Sequence, residues 1–425
     1  MKNGKLNWLL VGLIACSSFL VACKKDETKK PGDQKNGNTK VTKNGGSNKG
    51  EQQKVTKENY KKVAKDLVTK GVDYIVSKVR KDGTWAMEGK YKFPPAVTAL
   101  ALKCILQDPR YNVNSPIVEK GFQALLKYQQ KDGGIYDPKM GRSNYCTSIA
   151  VCALATANSP KYKSNLDRAV KFLRSIQIQA GTLSRDKKGG KEGEKIEAGH
   201  PFIGGVSYGK HGRPDMNNLG WWMQAMHEAG VKGDDPQMQL ALKFVNRCQN
   251  RTESNDLPWA KEKGTNDGGM IYAPAKRDIK VPESKANPKG DDKNFASYGS
   301  ISYAGMKSML YANVGKNDPR VKELFAWLRR NWTLDHNPGV EPGRKHQGQY
   351  FYYNAMSSAL SAFGKDSFKV KGNKEINWRV ELVRALQERI APDGSWHNDK
   401  ASRWAEDQKI LVTCYEVLAL EQLLK

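Results

Sequence analysis

The sequence predicts an all-α protein built from six helical hairpins in two layers. One indication is a turn with glycine and a nearby aromatic residue that recurs between helical segments, as in Asp82-Gly83-Thr84-Trp85 and Asp393-Gly394-Ser395-Trp396. A second indication is that the segment before each turn is amphipathic, whereas the segment after it is apolar nearly all round. The amphipathic set therefore forms an outer layer, and the apolar set is enclosed within it.

The six copies share their spacing in the first helix and the turn. In the second copy, Lys120-Gly121 precedes Ala124-Leu125, and the turn is Asp132-Gly133-Gly134-Ile135-Tyr136. The turn of the fifth copy, which follows Trp327-Leu328, is degenerate. One position before the turn is Gln in three copies and aliphatic in two; its residues are Val79, Gln129, Gln177, Gln249 and Ile390.

The second helix of each hairpin is rich in small residues spaced three and four apart, which lets neighbouring helices approach closely. Such segments cover residues 95–102, 146–154, 303–310, 355–360 and 412–420. Five cysteines lie within helical apolar patterns of the chain after residue 58, and their odd number argues against a disulfide framework. We expect these cysteines to be small buried thiols.

The motif Lys/Arg-Gly/Ala-x-x-aromatic-aliphatic-x-x-x-Gln-x-x-x-Gly-x-Trp resembles the QW repeat of squalene–hopene cyclases, over roughly residues 58–425. The fold is similar to that of protein prenyltransferase β-subunits, whose repeats are weaker. This resemblance implies an (α/α)6 toroid, with six inner helices around a central cavity and six outside. The Gln and aromatic residues are expected to be framework, because a Gln amide can satisfy backbone groups at a neighbouring helix end.

The amino terminus has the features of an export signal. Lys2 and Lys5 precede a short apolar run at residues 8–15, and Leu20-Val21-Ala22-Cys23 resembles the bacterial lipobox. The resemblance implies cleavage before Cys23 and acylation of its thiol, and two or three acyl chains anchor a protein stably. The predicted organisation is a signal peptide at 1–22, a basic tether at 23–57 and the toroid at 58–425, exported and anchored to the bacterial cell envelope membrane.

The predicted tether is nearly free of apolar residues, so it cannot bury enough surface to fold by itself.

The whole chain carries a net charge of +27. This charge is not gathered in a zinc finger, a leucine zipper or an aromatic ribonucleoprotein motif, so the sequence predicts a solvated basic surface and no specific nucleic-acid partner. We expect a monomer.

The catalytic motifs of the resembled enzymes are degenerate. Class II cyclases protonate an alkene with the central acid of Asp-x-Asp-Asp, and the matching segment here is Asp215-Met216-Asn217-Asn218. A carboxamide has no acidic proton to give. Asp215 either caps the helix or contacts a ligand. The Asp-x-Cys pair of zinc prenyltransferases is absent and the six histidines are scattered, so we predict no metal and no cofactor.

Polar and aromatic residues precede or begin the inner helices. If these helices start at one mouth, as in the resembled family, the residues converge there and line a site for a lipid, glycan or peptide. The alternative is that the aromatic side chains fill the cavity as core. The candidate ligand-binding residues are Tyr208, His211, Arg213, Asp215, Asn217, Asn218, Trp222, Tyr298, Tyr303, Tyr352 and Asp407, of which Asp215 and Asp407 are also the catalytic candidates. Two polar insertions, 180–199 and 273–295, either border this mouth or are disordered.

Three functions fit these observations. The first is an envelope lipoprotein that binds a ligand, and the second is an active cyclase or transferase with a non-standard acid. The missing acid and the missing zinc ligands favour the first of these. The polar and aromatic rim favours the same hypothesis over a purely structural envelope module. Fold resemblance does not decide among them.

The lipobox makes a direct prediction for Cys23. Replacing its thiol in Cys23→Ser removes the only atom that accepts the diacylglyceryl group, so the protein should no longer incorporate labelled fatty acid or partition into detergent. Cys16→Ser, which changes a cysteine inside the predicted signal, should leave labelling intact. Equal labelling of the two variants would contradict the assignment.

Overall fold

The computed structural model describes residues 53–89, 93–182, 195–209, 212–262, 264–275, 282–286 and 295–425. The signal peptide, Cys23, nearly all of the tether and His211 lie outside these residues. In chain order the helices are α1 (Tyr60–Ser77), α2 (Pro94–Gln107), α3 (Pro116–Leu126), α4 (Ser143–Ala157), α5 (Lys163–Ser175), α6 (Met216–Glu228), α7 (Pro236–Asn246), α8 (Pro258–Glu262), α9 (Gly299–Tyr311), α10 (Pro319–Arg330), α11 (Gln349–Phe363), α12 (Trp378–Arg389) and α13 (Lys409–Leu424). Strands β1 (Ser367–Lys369) and β2 (Glu375–Asn377) form an antiparallel hairpin between α11 and α12.

Six helices form a closed inner ring. Helix α2 contacts α4, and contacts continue through α6, α9, α11 and α13, which packs back against α2. The other six long helices lie outside this ring, and each is followed in the chain by an inner helix; they are α1, α3, α5, α7, α10 and α12. Helix α8 is a short extra helix between α7 and α9. The predicted α/α toroid is therefore confirmed.

Burial follows the two layers that the sequence predicted. In α5 the buried residues are Ala169, Phe172 and Leu173, which occupy one side of the helix. In α13 all residues from Ile410 to Glu421 are buried. A helix enclosed on every side needs neighbours all round, and the closed ring together with its outer layer supplies them.

The turn glycines connect each repeat to the next. In five repeats the first turn glycine has a φ between 82° and 91°, a left-handed conformation that favours glycine. A Cβ at each of these positions would lie within 2.9 Å of a main-chain carbonyl oxygen in the following outer helix. These glycines are Gly83, Gly133, Gly204, Gly268 and Gly394. Gly394 meets the carbonyl of Lys70 in α1, so the same contact joins the sixth repeat to the first.

The Gln of the motif also bridges repeats. The Nε2 of Gln249 donates to the carbonyl of the turn residue Gly268 at 3.0 Å and to that of Arg320, at the start of α10, at 2.9 Å. Gln129 and Gln177 make the same pair of hydrogen bonds to their own turn glycine and next outer helix. The predicted framework role of this Gln is confirmed.

Where the Gln is missing, the turn tryptophan makes the framework hydrogen bond. In the first repeat the indole N–H of Trp85 donates to the carbonyl of Ile75 at 2.7 Å, and in the sixth that of Trp396 donates to Leu386 at 2.9 Å. Both indoles are fully buried, so each donor satisfies a carbonyl at the end of an outer helix that water cannot reach.

The carboxyl ends of the inner helices enclose a buried charged cluster. Lys103 of α2 pairs with Glu228 of α6, and Lys307 of α9 donates to Gln224 at 2.6 Å. Burial opposes both charges of the pair, but their mutual attraction raises the pKa of Lys103 and lowers that of Glu228. Burial lowers the pKa of Lys307 to about 8. The Lys103–Glu228 pair thus joins α2 to α6, which are not neighbours in the ring, at this end.

All five cysteines in the toroid are free and buried, as predicted; they are Cys104, Cys146, Cys152, Cys248 and Cys414. Burial raises the pKa of the Cys146 thiol to about 12, which makes it a poor nucleophile.

Within the described ranges we find no helix long and apolar enough to cross a membrane and no group of side chains arranged to hold a metal ion.

The first described residues pack against the toroid. Val55 is only 1% exposed, and its carbonyl accepts a hydrogen bond from Arg384 of α12 at 3.3 Å. The carbonyl of Gln53 accepts another from Gln387 at 3.2 Å. Gln53 and Val55, which the sequence assigned to the tether, thus contact α12. A single apolar residue in a polar segment gave no signal for this contact.

The glycine contact predicts the effect of Gly133→Ala on stability. Gly133 has a φ of 91°, and a Cβ there would lie 2.4 Å from the carbonyl oxygen of Arg168. Gly230→Ala is the matched control, because Gly230 has a φ of 85° with nothing within 4 Å. The control should lose about 1–2 kcal/mol from left-handed strain alone. Gly133→Ala should lose clearly more in urea unfolding, and equal losses would contradict the contact.

Candidate functional site

A cavity of about 470 Å³ opens at the amino-terminal ends of the inner helices. Every inner helix contributes at least one residue from its first two turns or from the position just before it. These residues are Phe93, Arg142, Tyr145, Asn217, Tyr298, Ser300, Ile301, Gly348, Phe351, Leu411 and Tyr415. The six helix starts therefore share one mouth.

Aromatic residues are the largest class among the residues that line the cavity; they are Phe93, Tyr145, Tyr208, Tyr272, Tyr298, Phe351, Trp404 and Tyr415. Deep in the cavity the hydroxyls of Tyr145 and Tyr415 lie 3.2 Å apart, and Tyr145 packs edge-on against Trp221. At the rim, Trp404 is 46% exposed, and no other large apolar side chain in the described ranges is as open to solvent. The aromatics thus line the cavity and leave it open at the mouth.

Three cations and one carboxylate line the cavity: Arg142, Lys285, Arg403 and Glu406. The guanidinium carbon of Arg142 lies 4.2 Å from the ring centre of Phe93 and 5.1 Å from that of Tyr208. Lys285 lies within the second insertion, pairs with Glu283 and sits 4.9 Å above the ring of Tyr272. Part of that insertion therefore borders the cavity.

Glu406 is a lining residue that the sequence did not reveal. One of its carboxylate oxygens accepts the backbone N–H groups of Tyr350 and Phe351, at 3.0 and 2.8 Å, so it caps α11. The other accepts the amide of Asn398 at 2.8 Å. Burial raises the pKa of Glu406 to about 7, although these hydrogen bonds oppose the shift.

The neighbouring candidate Asp407 is exposed and does not line the cavity. Trp404 and Ala405 both have left-handed φ angles, 61° and 65°, and this backbone turn places Glu406 inward instead of Asp407. Non-glycine residues rarely adopt such angles, so the sequence carried no sign of the turn.

Asp215 caps α6 from behind the cavity wall. Its carboxylate accepts the N–H of Asn218 at 3.0 Å and the side-chain amide of Asn218 at 2.8 Å. Burial raises the pKa of Asp215 despite these bonds. Asn218 is fully buried, whereas Asn217 faces the cavity. Of the two roles predicted for Asp215, the geometry shows the cap.

Three aromatic candidates lie in the framework. The indole of Trp222 donates to the carbonyl of Leu173 at 2.9 Å, the position in its repeat that matches Ile75 and Leu386. The rings of Tyr303 and Tyr352 pack 5.6 Å apart, away from the cavity wall. Trp222 has this framework role because the third repeat has Val206 where a turn tryptophan is usual, so an indole from the inner helix α6 takes its place.

The other candidates divide between the wall and its surroundings. Tyr208, Asn217 and Tyr298 line the cavity. Arg213 pairs with Glu283, and its guanidinium lies 5.3 Å from the ring centre of Tyr272, one layer behind the wall. A binding role for any of these side chains stays a prediction, because their placement alone does not test it.

Backbone strain is concentrated at the mouth. Four lining residues that are not glycine have positive φ: Phe93 at 28°, Arg142 at 60°, Trp404 at 61° and Ala405 at 65°. Such conformations each cost about 1–3 kcal/mol and are retained where the surrounding structure holds them, frequently at functional sites.

Comparison with known proteins supports the fold. No protein-family model and no curated protein sequence matches this chain. Among solved structures, an α-1,6-mannanase from Salegentibacter is 9% identical with a TM-score of 0.51, covering 86% of this chain and 100% of its own. A D-mannose isomerase is 12% identical with a TM-score of 0.50, covering 84% and 97%. A type II terpene cyclase from Scytonema is 12% identical with a TM-score of 0.48, covering 87% and 99%.

At these identities the similarities show the toroid fold alone. The mannanase and the isomerase are not squalene–hopene cyclases, so the similarities support the toroid architecture and do not single out the cyclase family.

The two kinds of tryptophan should differ in stability. Trp222→Ala removes a fully buried framework indole and should lower the free energy of unfolding by about 3–5 kcal/mol. Trp404→Ala removes an exposed rim indole and should change it by about 0.5 kcal/mol or less. Urea unfolding of both variants checks this difference, and a large loss in Trp404→Ala would show that the rim ring is part of the core.

Proposed function

We propose that this protein is an envelope-anchored lipoprotein whose toroid binds a glycan in its central cavity. The observation that carries the proposal is the aromatic wall ending at the exposed ring of Trp404. One face of a sugar ring presents mainly C–H groups, which pack on an aromatic face, while its hydroxyls require hydrogen-bonding partners.

The polar groups of the wall favour a glycan over a lipid. Asn217 and Ser300 line the cavity together with several tyrosines. A hydrocarbon chain would leave these donors and acceptors without partners, at a cost in free energy for each buried group. A sugar matches the mixture of rings and hydroxyls.

The acidic groups favour binding over catalysis. Glycoside hydrolysis generally requires two carboxyl groups on opposite sides of the scissile bond. Glu406 is the only carboxylate among the lining residues in the described ranges, and both its oxygens are engaged; Asp215 is engaged in its cap. Asn217 and Asn218 also replace the acid that alkene cyclisation requires.

Similar folds are used for sugars elsewhere. Two of the structures described above are named as an α-1,6-mannanase and a D-mannose isomerase. This is support by analogy of fold. An open cavity with a strained rim also argues against a purely structural module. The lipid anchor at Cys23 would hold the cavity at the membrane surface, with the tether as spacer.

A glycan array tests the proposal. Residues 53–425 should bind at least one oligosaccharide family on an array that covers neutral, carboxylated and sulfated glycans. Trp404→Ala should weaken that binding about tenfold or more, because it removes the stacking surface and should change the free energy of unfolding only slightly. Tyr111→Ala, a partly buried aromatic at the other end of the ring, is the matched control and should bind normally. Binding unaffected by Trp404→Ala would contradict the site, and an array without any bound glycan would contradict the function.

A further inference from the structure

The cavity carries more positive than negative charge. Arg142, Lys285 and Arg403 face it, against Glu406 alone. Lys285 already has Glu283 as its partner, and Arg403 is exposed at the rim beside Trp404. Because burial holds the pKa of Glu406 near 7, this carboxyl is only partly ionised at neutral pH. Behind the exposed rim, the lining cation without a carboxylate partner in the described ranges is Arg142.

Arg142 has no anionic partner among the residues that the structure describes. Its guanidinium lies between the rings of Phe93 and Tyr208, and these two ring contacts are its side-chain interactions there. Contact with these rings shields part of the guanidinium from water but gives its N–H groups no hydrogen-bond acceptor. A half-buried arginine in this position gains from an acceptor brought by a ligand.

The backbone holds Arg142 at the cavity in an unfavourable conformation. Arg142 is the residue before α4, and its φ of 60° and ψ of 33° are left-handed. Asn or Gly takes this conformation at lower cost, and neither could reach into the cavity with a cation. The strained backbone conformation thus occurs at a residue whose side chain lines the cavity.

The surrounding helices add to the attraction for an anion. All six inner helices begin at the mouth, and each helix start carries a partial positive charge. Carboxylates cap α6 and α11, namely Asp215 and Glu406, whereas α4 has no side-chain cap and the N–H of its Asn144 donates to the backbone carbonyl of Tyr208 at 3.0 Å. The helix that follows Arg142 therefore begins without a capping carboxylate, and its partial positive charge adds to that of the guanidinium.

We propose that the cavity selects acidic glycans, whose carboxylate or sulfate group binds the guanidinium of Arg142. This inference rests on the proposed function, since it names the class of glycan that the same cavity takes. The planar fork of arginine donates two parallel hydrogen bonds to either group, which a neutral hydroxyl cannot accept in the same way. The aromatic wall would pack against the sugar rings, and Arg142 would make the cavity bind acidic glycans more tightly than neutral ones.

Matched glycan pairs test the selection. For the family found on the array, affinity is measured by calorimetry for the acidic oligosaccharide and for its methyl-esterified or desulfated form. The acidic form should bind the unaltered protein about tenfold more tightly or better, as expected for a charge-assisted hydrogen-bonded pair. Arg142→Gln should abolish that preference, so that the variant binds the acidic and neutral forms with equal affinity. Arg142→Lys, which keeps the charge but not the fork, should give an intermediate preference.

Lys369→Gln is the control for net charge, because Lys369 is exposed in β1 and is remote from the lining residues. It should keep the full preference. Equal binding of the acidic and neutral forms by the unaltered protein would overturn the selection and leave glycan binding intact. Preference retained in Arg142→Gln would overturn the role of Arg142. If no glycan binds at all, both proposals fall, and thermal unfolding of each variant separates loss of binding from loss of fold.

Discussion

The close approach of a turn to the next outer helix, which occurs in five of the six repeats, is the contact on which the toroid depends. A left-handed glycine lets the turn meet a helix carbonyl, and the adjacent Gln or tryptophan satisfies backbone groups at the same junction. Since Gly394 makes this contact with α1, the first and last repeats are joined by the same interaction as their neighbours. Twelve helices that bury little surface as separate hairpins become one closed core.

This junction also fixes where chemistry can occur. Because a turn joins each outer helix to an inner helix in every repeat, all inner helices run in one direction, so their amino-terminal ends meet at the mouth and their carboxyl ends lie at the opposite end of the ring. The mouth consequently collects helix starts, their caps and the loops before them. Asp215 and Glu406 show the result, because each carboxylate that stabilises a helix start also lies at or just behind the cavity wall.

The sequence predicted what repeats and missed what occurs once. Turn glycines, Gln positions and the two helix classes recur, so periodicity revealed the framework, and the convergence of helix starts followed from the family resemblance. Glu406 was missed in favour of Asp407, because the left-handed angles of Trp404 and Ala405 leave no trace in the residue types. Trp222 was placed in the site although it serves as a framework indole, because the absence of a turn tryptophan in its own repeat is visible only in space.

The charged cluster at the carboxyl ends of the inner helices affects how a ligand can enter and leave the ring. The ion pair between Lys103 of α2 and Glu228 of α6 joins two helices that are not neighbours in the ring, and Lys307 of α9 donates a hydrogen bond to Gln224 of α6 at the same end. A polymer that passed through the ring would have to separate these charged groups from their partners, which costs free energy. We therefore expect the end or a short branch of a chain to enter the cavity and to leave again by the mouth.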